Sequence, residues 1–422
     1  MRIAIKSVIA CSVAGLLAAP ATALAQTDDH IVTPSDRERD VSERNGVRVG
    51  SFLLLPTVLS EATYDDNVYA SDTNKQDDVI FTVRPAVALR SVFANHSLNA
   101  AAFYERDFHL NLPTENSSQY GASVDGAYAI SRADRVSASL SARHTIESRR
   151  SLGSLRQASR PVAFNDIDGR VGYARTSGPL FISAEARGRR VAYGDAVVSG
   201  VTVDQSFRNF TIASGSFAAG YNFHDITRVF LSVGAEHRRY EFRAGDIGFD
   251  PITNTDRSAN GYRVELGAQR ELTALISGTV RVGYFNFNYA DTKLKDVSGF
   301  SYFGDLRWSV TPLTTVTLAA QRSLDETVSP NSAGNLRDQV TLGADHELLR
   351  NLFLQGSVRY AWIDSTGTDP NSREFGLDLE GRYYLGRNLM ITAGYSRSSR
   401  SSDNRAIAFR DNAILLGIRF NP

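Results

Sequence analysis

A period of two governs what this chain can become. From about Val47 to Phe420 the sequence repeats runs of roughly ten to fifteen residues with an apolar side chain at every second position, each closed by a polar turn. In the last run Ile414, Leu416, Ile418 and Phe420 share one face, while Ala413, Leu415, Gly417 and Arg419 share the other. The run around Phe375, Leu377, Leu379 and Gly381 alternates in the same way with Gly376, Asp378, Glu380 and Arg382. A water-soluble sandwich also alternates, but its strands average about five or six residues. These runs are about twice that length, which is what a tilted strand needs to cross a hydrocarbon slab of roughly 30 Å. The fold class expected is therefore all-β: a transmembrane, antiparallel, up-and-down β-barrel with its apolar face on lipid and its charged face around an aqueous lumen.

Turns and loops alternate strictly. Short turns fall at 94–96, 131–134, 176–179, 224–227, 271–274, 311–314, 349–351 and 386–388, and longer connections lie between them. Joined in series they imply about 18 strands, an even number with both termini in the periplasm, as outer-membrane barrels require. A barrel of that size is wide enough for a water channel. Two features strain the pattern. Pro56 and Pro85 sit inside the first two strands, where a missing N–H predicts irregular pairing. The eleventh strand runs Ile276, Gly278, Val280, Val282 and Tyr284 outward and then offers Asn286 and Asn288, so it either emerges above the lipid or slips in phase.

Arg2 and Lys6 precede an apolar stretch over 8–19, and Ala23-Leu24-Ala25 forms a small-residue cleavage site, the marks of a secretory signal peptide over 1–25. A polar leader over 26–46 follows, read as periplasmic, and the barrel occupies 47–422. The expected location is the outer membrane of a Gram-negative bacterium. The single cysteine, Cys11, lies in the signal segment, so disulfides play no part in the exported chain. With 46 basic and 46 acidic residues the chain is not a basic nucleic-acid binder. Only Lys6, Lys75, Lys293 and Lys295 are lysines; the remaining positive charge is arginine, whose rigid fork suits ladders of paired charge. The seven histidines are dispersed and form no hydrolase or metalloprotease motif, so neither an enzyme nor a cofactor is expected.

The inward phase supplies the candidate pore lining: Asp168, Arg170, Glu185, Arg187, Arg189, Glu236, Arg238, Arg263, Glu265, Arg281, Asp305, Arg307, Asp345, Glu347, Arg359, Asp378, Glu380, Arg382 and Arg419. Interleaved signs describe a hydrated, nearly neutral wall rather than a single-sign filter. Near the outer mouth the same phase carries Tyr240, Phe242, Phe285, Phe287, Tyr289 and Phe303. These aromatics are candidates for stacking on sugar rings; the alternative is that they pack under a loop or join the interfacial girdle. Asp65, Asp66, Asp72, Asp77 and Asp78 form an acidic stretch whose spacing matches no defined calcium loop, so no metal site is assigned. The expected partners are outer-membrane lipid and lipopolysaccharide.

The element Tyr64-Asp65-Asp66-Asn67-Val68-Tyr69, after the strand Leu53-Leu54-Leu55-Pro56-Thr57-Val58-Leu59, together with the strands running to Arg419-Phe420, resembles the family called putative beta-barrel porin 2. The resemblance implies an eighteen-stranded barrel linked to exopolysaccharide or capsule production and working with a periplasmic polysaccharide-export protein. It implies no catalytic residues. The terminal aromatic, Phe420, is followed here by Asn421 and Pro422, a departure from the usual ending. The leading expectation is thus a polysaccharide-export conduit with an open lumen. The alternative is a diffusion porin for small hydrophilic solutes, against which stands the lack of an outer loop long enough, on this reading, to fold inward as a constriction. A plugged, energy-coupled transporter is excluded because 26–46 is too short for a plug.

Overall fold

The structure, a computed structural model, describes residues 46–223, 227–241, 255–273, 275–325, 332–367 and 370–422, with positions 34 and 327. The expected signal peptide, almost all of the leader and the candidate Phe242 lie outside the described residues. Among those described, the barrel strands are β1 Phe52–Asp65, β2 Asp78–Ser91, β3 His96–His109, β4 Ser117–Ala129, β5 Asp134–Ile146, β6 Ala163–Ser177, β7 Leu180–Tyr193, β8 Phe210–Phe223, β9 Thr227–Tyr240, β10 Ala259–Thr273, β11 Ile276–Tyr289, β12 Val297–Thr311, β13 Thr314–Asp325, β14 Asn335–Leu349, β15 Leu352–Ser365, β16 Ser372–Tyr384, β17 Leu389–Ser402 and β18 Phe409–Phe420. Eighteen strands is the number the turns call for. Each pairs antiparallel with the next, and β1 closes the ring by pairing Val58–Asp65 with β18 from Phe420 back to Ala413. A short strand, Val47–Val49, folds back on the start of β1.

Closure is what lets such a sheet exist in hydrocarbon, because no backbone N–H or C=O is left facing lipid. The two faces separate as the alternation predicts. Val280, Leu379 and Leu416 are 56%, 49% and 61% exposed, whereas Arg281, one position from Val280, is 6% exposed. Large apolar side chains standing in the open on one phase of every strand describe a lipid-facing surface.

The prolines behave differently from each other. Pairing between β2 and β3 is interrupted at Pro85, between Val83↔Arg106 and Ala86↔Phe103. Pro56 keeps its register with Val87. It lies below Val58, where β1 has no β18 partner, so a missing N–H on that side interrupts no bond. The eleventh strand does not slip: β11 stays in continuous register with β10 and β12 through Asn286 and Phe287. Its polar outer end therefore rises above the apolar band. Register shifts occur instead at Glu271/Thr273, Ser309/Thr311 and Glu347/Leu349, each beside a short turn, where one extra residue bends the strand into the hairpin.

The two phases should respond oppositely to charge. Replacing Leu379, Val280 or Val233 by Arg is expected to cost about 2–4 kcal/mol near the bilayer midplane, measured by urea unfolding in liposomes. Arg at Ser141 or Thr279, on the inner phase, should leave stability unchanged; equal losses in both sets would reverse the assigned faces.

Candidate functional site

Residues 147–162 connect β5 to β6 and turn into the barrel mouth rather than away from it. The loop is held by arginines that reach far around the ring. Arg150 Nη2 lies 2.6 Å from Asp65 Oδ2 on β1, and the same guanidinium pairs with Asp411 on β18. Arg400 on β17 donates from Nη2 to the carbonyl oxygen of Arg150 at 2.6 Å. Arg156 donates to the carbonyls of Ala406 and Ile407 at 2.7 and 3.0 Å and lies over the ring of Phe409. Six strand positions separate β5 from β17 around the wall, so groups from both can meet only across the interior.

The base of the loop is fixed as firmly. Arg149 grips Glu115 with two bonds, Nη2 to Oε1 at 2.7 Å and Nε to Oε2 at 3.1 Å, and also donates to the carbonyls of Leu155 and Ala158. Glu147 accepts two bonds from Arg208, whose guanidinium stands 3.9 Å from the centre of the Tyr193 ring. Ala158, Val162 and Ala196 bury together under Leu155, Tyr193, Val198 and Val203, joining this loop to the hairpin Ala196–Val198/Val201–Val203. Arg149, Glu115 and Glu147 are all buried, so each charge needs its partner: an unpaired ion in such surroundings keeps its desolvation cost.

Beyond Arg400 the charges continue along the inner wall. Glu374 joins Arg400 and Arg337 at 2.6 Å each, and Arg337 reaches Asp325 at 2.5 Å. Burial works against the charge of Arg150, but the Asp65 and Asp411 carboxylates outweigh it and hold the group above its ordinary value. Arg156 goes the other way, pulled down to about 10 by burial and then by the neighbouring Arg400 cation.

The expected lining residues all fall on the phase opposite the exposed apolar band, and many pair within their own strand or with a neighbouring one. Asp168 takes Arg170 at 2.9 Å and Arg187 at 2.5 Å. Arg189 pairs with Asp166, Arg238 with Glu236, and Arg382 with Glu380. Arg263 and Arg281 both approach Glu265, at 3.6 and 3.4 Å. Arg419 donates to the Tyr384 hydroxyl. Glu185, Arg187, Glu236, Arg263, Glu265 and Arg281 line one narrow inner cleft of 60 Å³ with Phe287. Asp305, Arg307, Asp345, Glu347, Arg359 and Asp378 occupy inner-phase positions of β12, β14, β15 and β16.

The aromatic candidates are mostly covered. Tyr240 packs with Phe164, Val191, Phe210 and Ile212, and Phe285 and Phe287 pack with Leu294, Val297 and Leu324, with Tyr289 against them. Phe303 lies under Arg281, 4.5 Å from guanidinium carbon to ring centre. Faces that would stack on sugar are thus occupied by neighbouring side chains in this structure. The acidic element near the start is likewise engaged: Asp65 by Arg150, and Asp66 by the backbone N–H and side-chain amide of Asn412.

Sequence reasoning missed the residues that organise the mouth, among them Arg149, Arg150, Arg156, Glu374 and Arg400. The expectation that no outer loop is long enough to turn inward is corrected: 147–162 does so at moderate length, because arginine side chains supply the reach that the backbone lacks. The one local signal was the Arg149-Arg150 doublet in a loop otherwise rich in serine.

The family described as Putative beta-barrel porin 2 matches residues 41–421. No curated protein matches the chain. Among solved structures, a BenF-like porin from Pseudomonas fluorescens Pf-5 is similar at 11% identity and a TM-score of 0.44, covering 87% of this chain and 99% of that one. OccAB3 of Acinetobacter baumannii is 12% identical with a TM-score of 0.45, covering 89% and 100%. OccK2 (OpdF) of Pseudomonas aeruginosa, solved with glucuronate, is 13% identical with a TM-score of 0.44, covering 90% and 99%.

Removing one partner of the loop's buried base should free the loop without opening the barrel. Arg149→Ala is expected to destabilise the loop by about 3–5 kcal/mol, since Glu115 is left buried and uncompensated. Trypsin should then cut after Arg150 or Arg156 while the strands stay protected; an uncut loop in a folded variant would show that the pair does not hold it.

Proposed function

The chain belongs to the Putative beta-barrel porin 2 family, in the outer membrane of a Gram-negative bacterium, and from that premise we propose that it is a diffusion porin for small hydrophilic solutes. The observation that carries this reading is the loop at 147–162, pinned inside the mouth by Arg150 and Arg156. A loop tied to β1, β17 and β18 reaches across the entrance and narrows it. Small solutes pass a narrowed entrance, whereas a continuous polymer needs an unobstructed bore.

The lining supports the same reading. Ion pairs within and between adjacent strands keep the wall hydrated and nearly neutral, which favours passage of polar solutes without selecting one charge strongly. Arginine predominates because its fork spans two strands and bonds a carboxylate at two points, a geometry that lysine lacks.

The purified barrel should conduct ions steadily in a planar bilayer and admit small sugars into liposomes. Arg150→Ala should raise single-channel conductance, because the loop loses its ties to Asp65 and Asp411. A deletion strain should lose small-solute uptake and keep normal surface polymer. Loss of polymer with unchanged solute uptake would overturn the porin reading in favour of polysaccharide export.

A further inference from the structure

On the lipid-facing phase of β16, β17 and β18, three arginines stand together at the outer end of the barrel. Arg397 lies directly across from Asn412, Arg410 across from Ser399, and Arg373 across from Ser401. All three are exposed, and none makes an ion pair or side-chain hydrogen bond among the described residues. That sets them apart from inner-wall arginines such as Arg187, Arg238 and Arg337, which are spent on carboxylates. Lys75, from the loop after β1, adds a fourth cation by donating to the carbonyl of Arg410 at 2.6 Å.

Their level is fixed by what lies beneath. One or two pairs further toward the periplasm the same phase becomes apolar, with Leu379, Tyr395 and Ile414 in one cross-strand row. Trp362, 43% exposed, pairs directly with Arg373 from β15. Aromatic side chains mark the boundary between hydrocarbon and headgroups, and arginines just above that boundary stand at headgroup height. β17 leads from Arg397 into a longer outer connection, so the headgroups are those of the outer leaflet. Two outward carboxylates border the patch: Asp364, beyond Trp362 on β15, and Asp66, which is engaged by the backbone N–H and side-chain amide of Asn412.

We propose that Arg373, Arg397 and Arg410 form a binding site for the phosphate of a phosphorylated glycolipid of the outer leaflet, lipopolysaccharide, whose acyl chains run down the apolar rows below. Charge complementarity selects the headgroup, since three unpaired guanidiniums within one cross-strand patch offer forked donors to a phosphate. Continuity with the apolar band selects a lipid over a free anion. Ser399 and Ser401, interleaved with the arginines, present hydroxyl groups to the sugar.

Native mass spectrometry of the full-length barrel tests this, with bis-phosphorylated lipid A, dephosphorylated lipid A and inorganic phosphate as probes. The unmodified protein should retain bis-phosphorylated lipid A and release the dephosphorylated form. Arg373→Gln/Arg397→Gln/Arg410→Gln, its folding verified by heat-modifiable gel mobility, should weaken retention by about tenfold, equivalent to roughly 1.4 kcal/mol. Arg350→Gln, in a turn at the opposite end, should retain it unchanged. Equal retention by the triple variant, equal binding of dephosphorylated lipid A, or displacement by an equal concentration of inorganic phosphate would each overturn the proposal. Should the triple variant fail to fold, the three single substitutions decide it: full retention in all three overturns the site. The outcome is independent of channel conductance.

Discussion

Closure of the sheet is the constraint on which everything else rests. In hydrocarbon there is no water to satisfy a backbone group, so a sheet survives only as a ring. The pairing of Val58–Asp65 with β18 completes that ring between the two ends of the barrel sequence. Once the ring is closed, every second side chain is committed to the inside and every other one to lipid. Charge on the inner phase then follows without further cause, because only that side is wet.

Closure also creates an interior that a loop can enter. Within it, charges distant in sequence become neighbours: Arg150 meets Asp65 and Asp411, and Arg400 meets the backbone of Arg150. These contacts are partly withdrawn from water, where a lone ion is costly and a paired one is tolerated. The loop is thus held by necessity as much as by attraction, since moving it would strand Glu115, Glu147 and Asp411 without their cations. A short loop with long charged side chains serves where a long loop would otherwise be needed.

The arginines of the inner wall contrast with one patch on the outer face. Those on the inner wall, such as Arg187, Arg238 and Arg337, are matched to carboxylates on their own or adjacent strands. In the outer patch Arg373, Arg397 and Arg410 stand above an aromatic boundary without carboxylate partners among the described residues, whereas other outward arginines, Arg175, Arg190 and Arg322, are paired with Asp134, Glu241 and Asp338. A chain of balanced overall charge can therefore present a balanced bore and a cationic patch on one side of its outer rim at once.

The sequence by itself determined the strand type, the strand number, the membrane and the phase of each side chain, because all of these follow from a period of two and from run length, both local properties. Val280 outward and Arg281 inward were legible from adjacent letters. So was the disturbance at Pro85, which a missing N–H dictates wherever it falls in a ladder. Only the tertiary structure decided that 147–162 enters the mouth, that Asp65 is bound by an arginine, and that Phe285 and Phe287 are packed under loop residues. Those facts depend on which residues face one another across the lumen. That relation is set by ring closure and strand stagger, and no pattern along the chain encodes it.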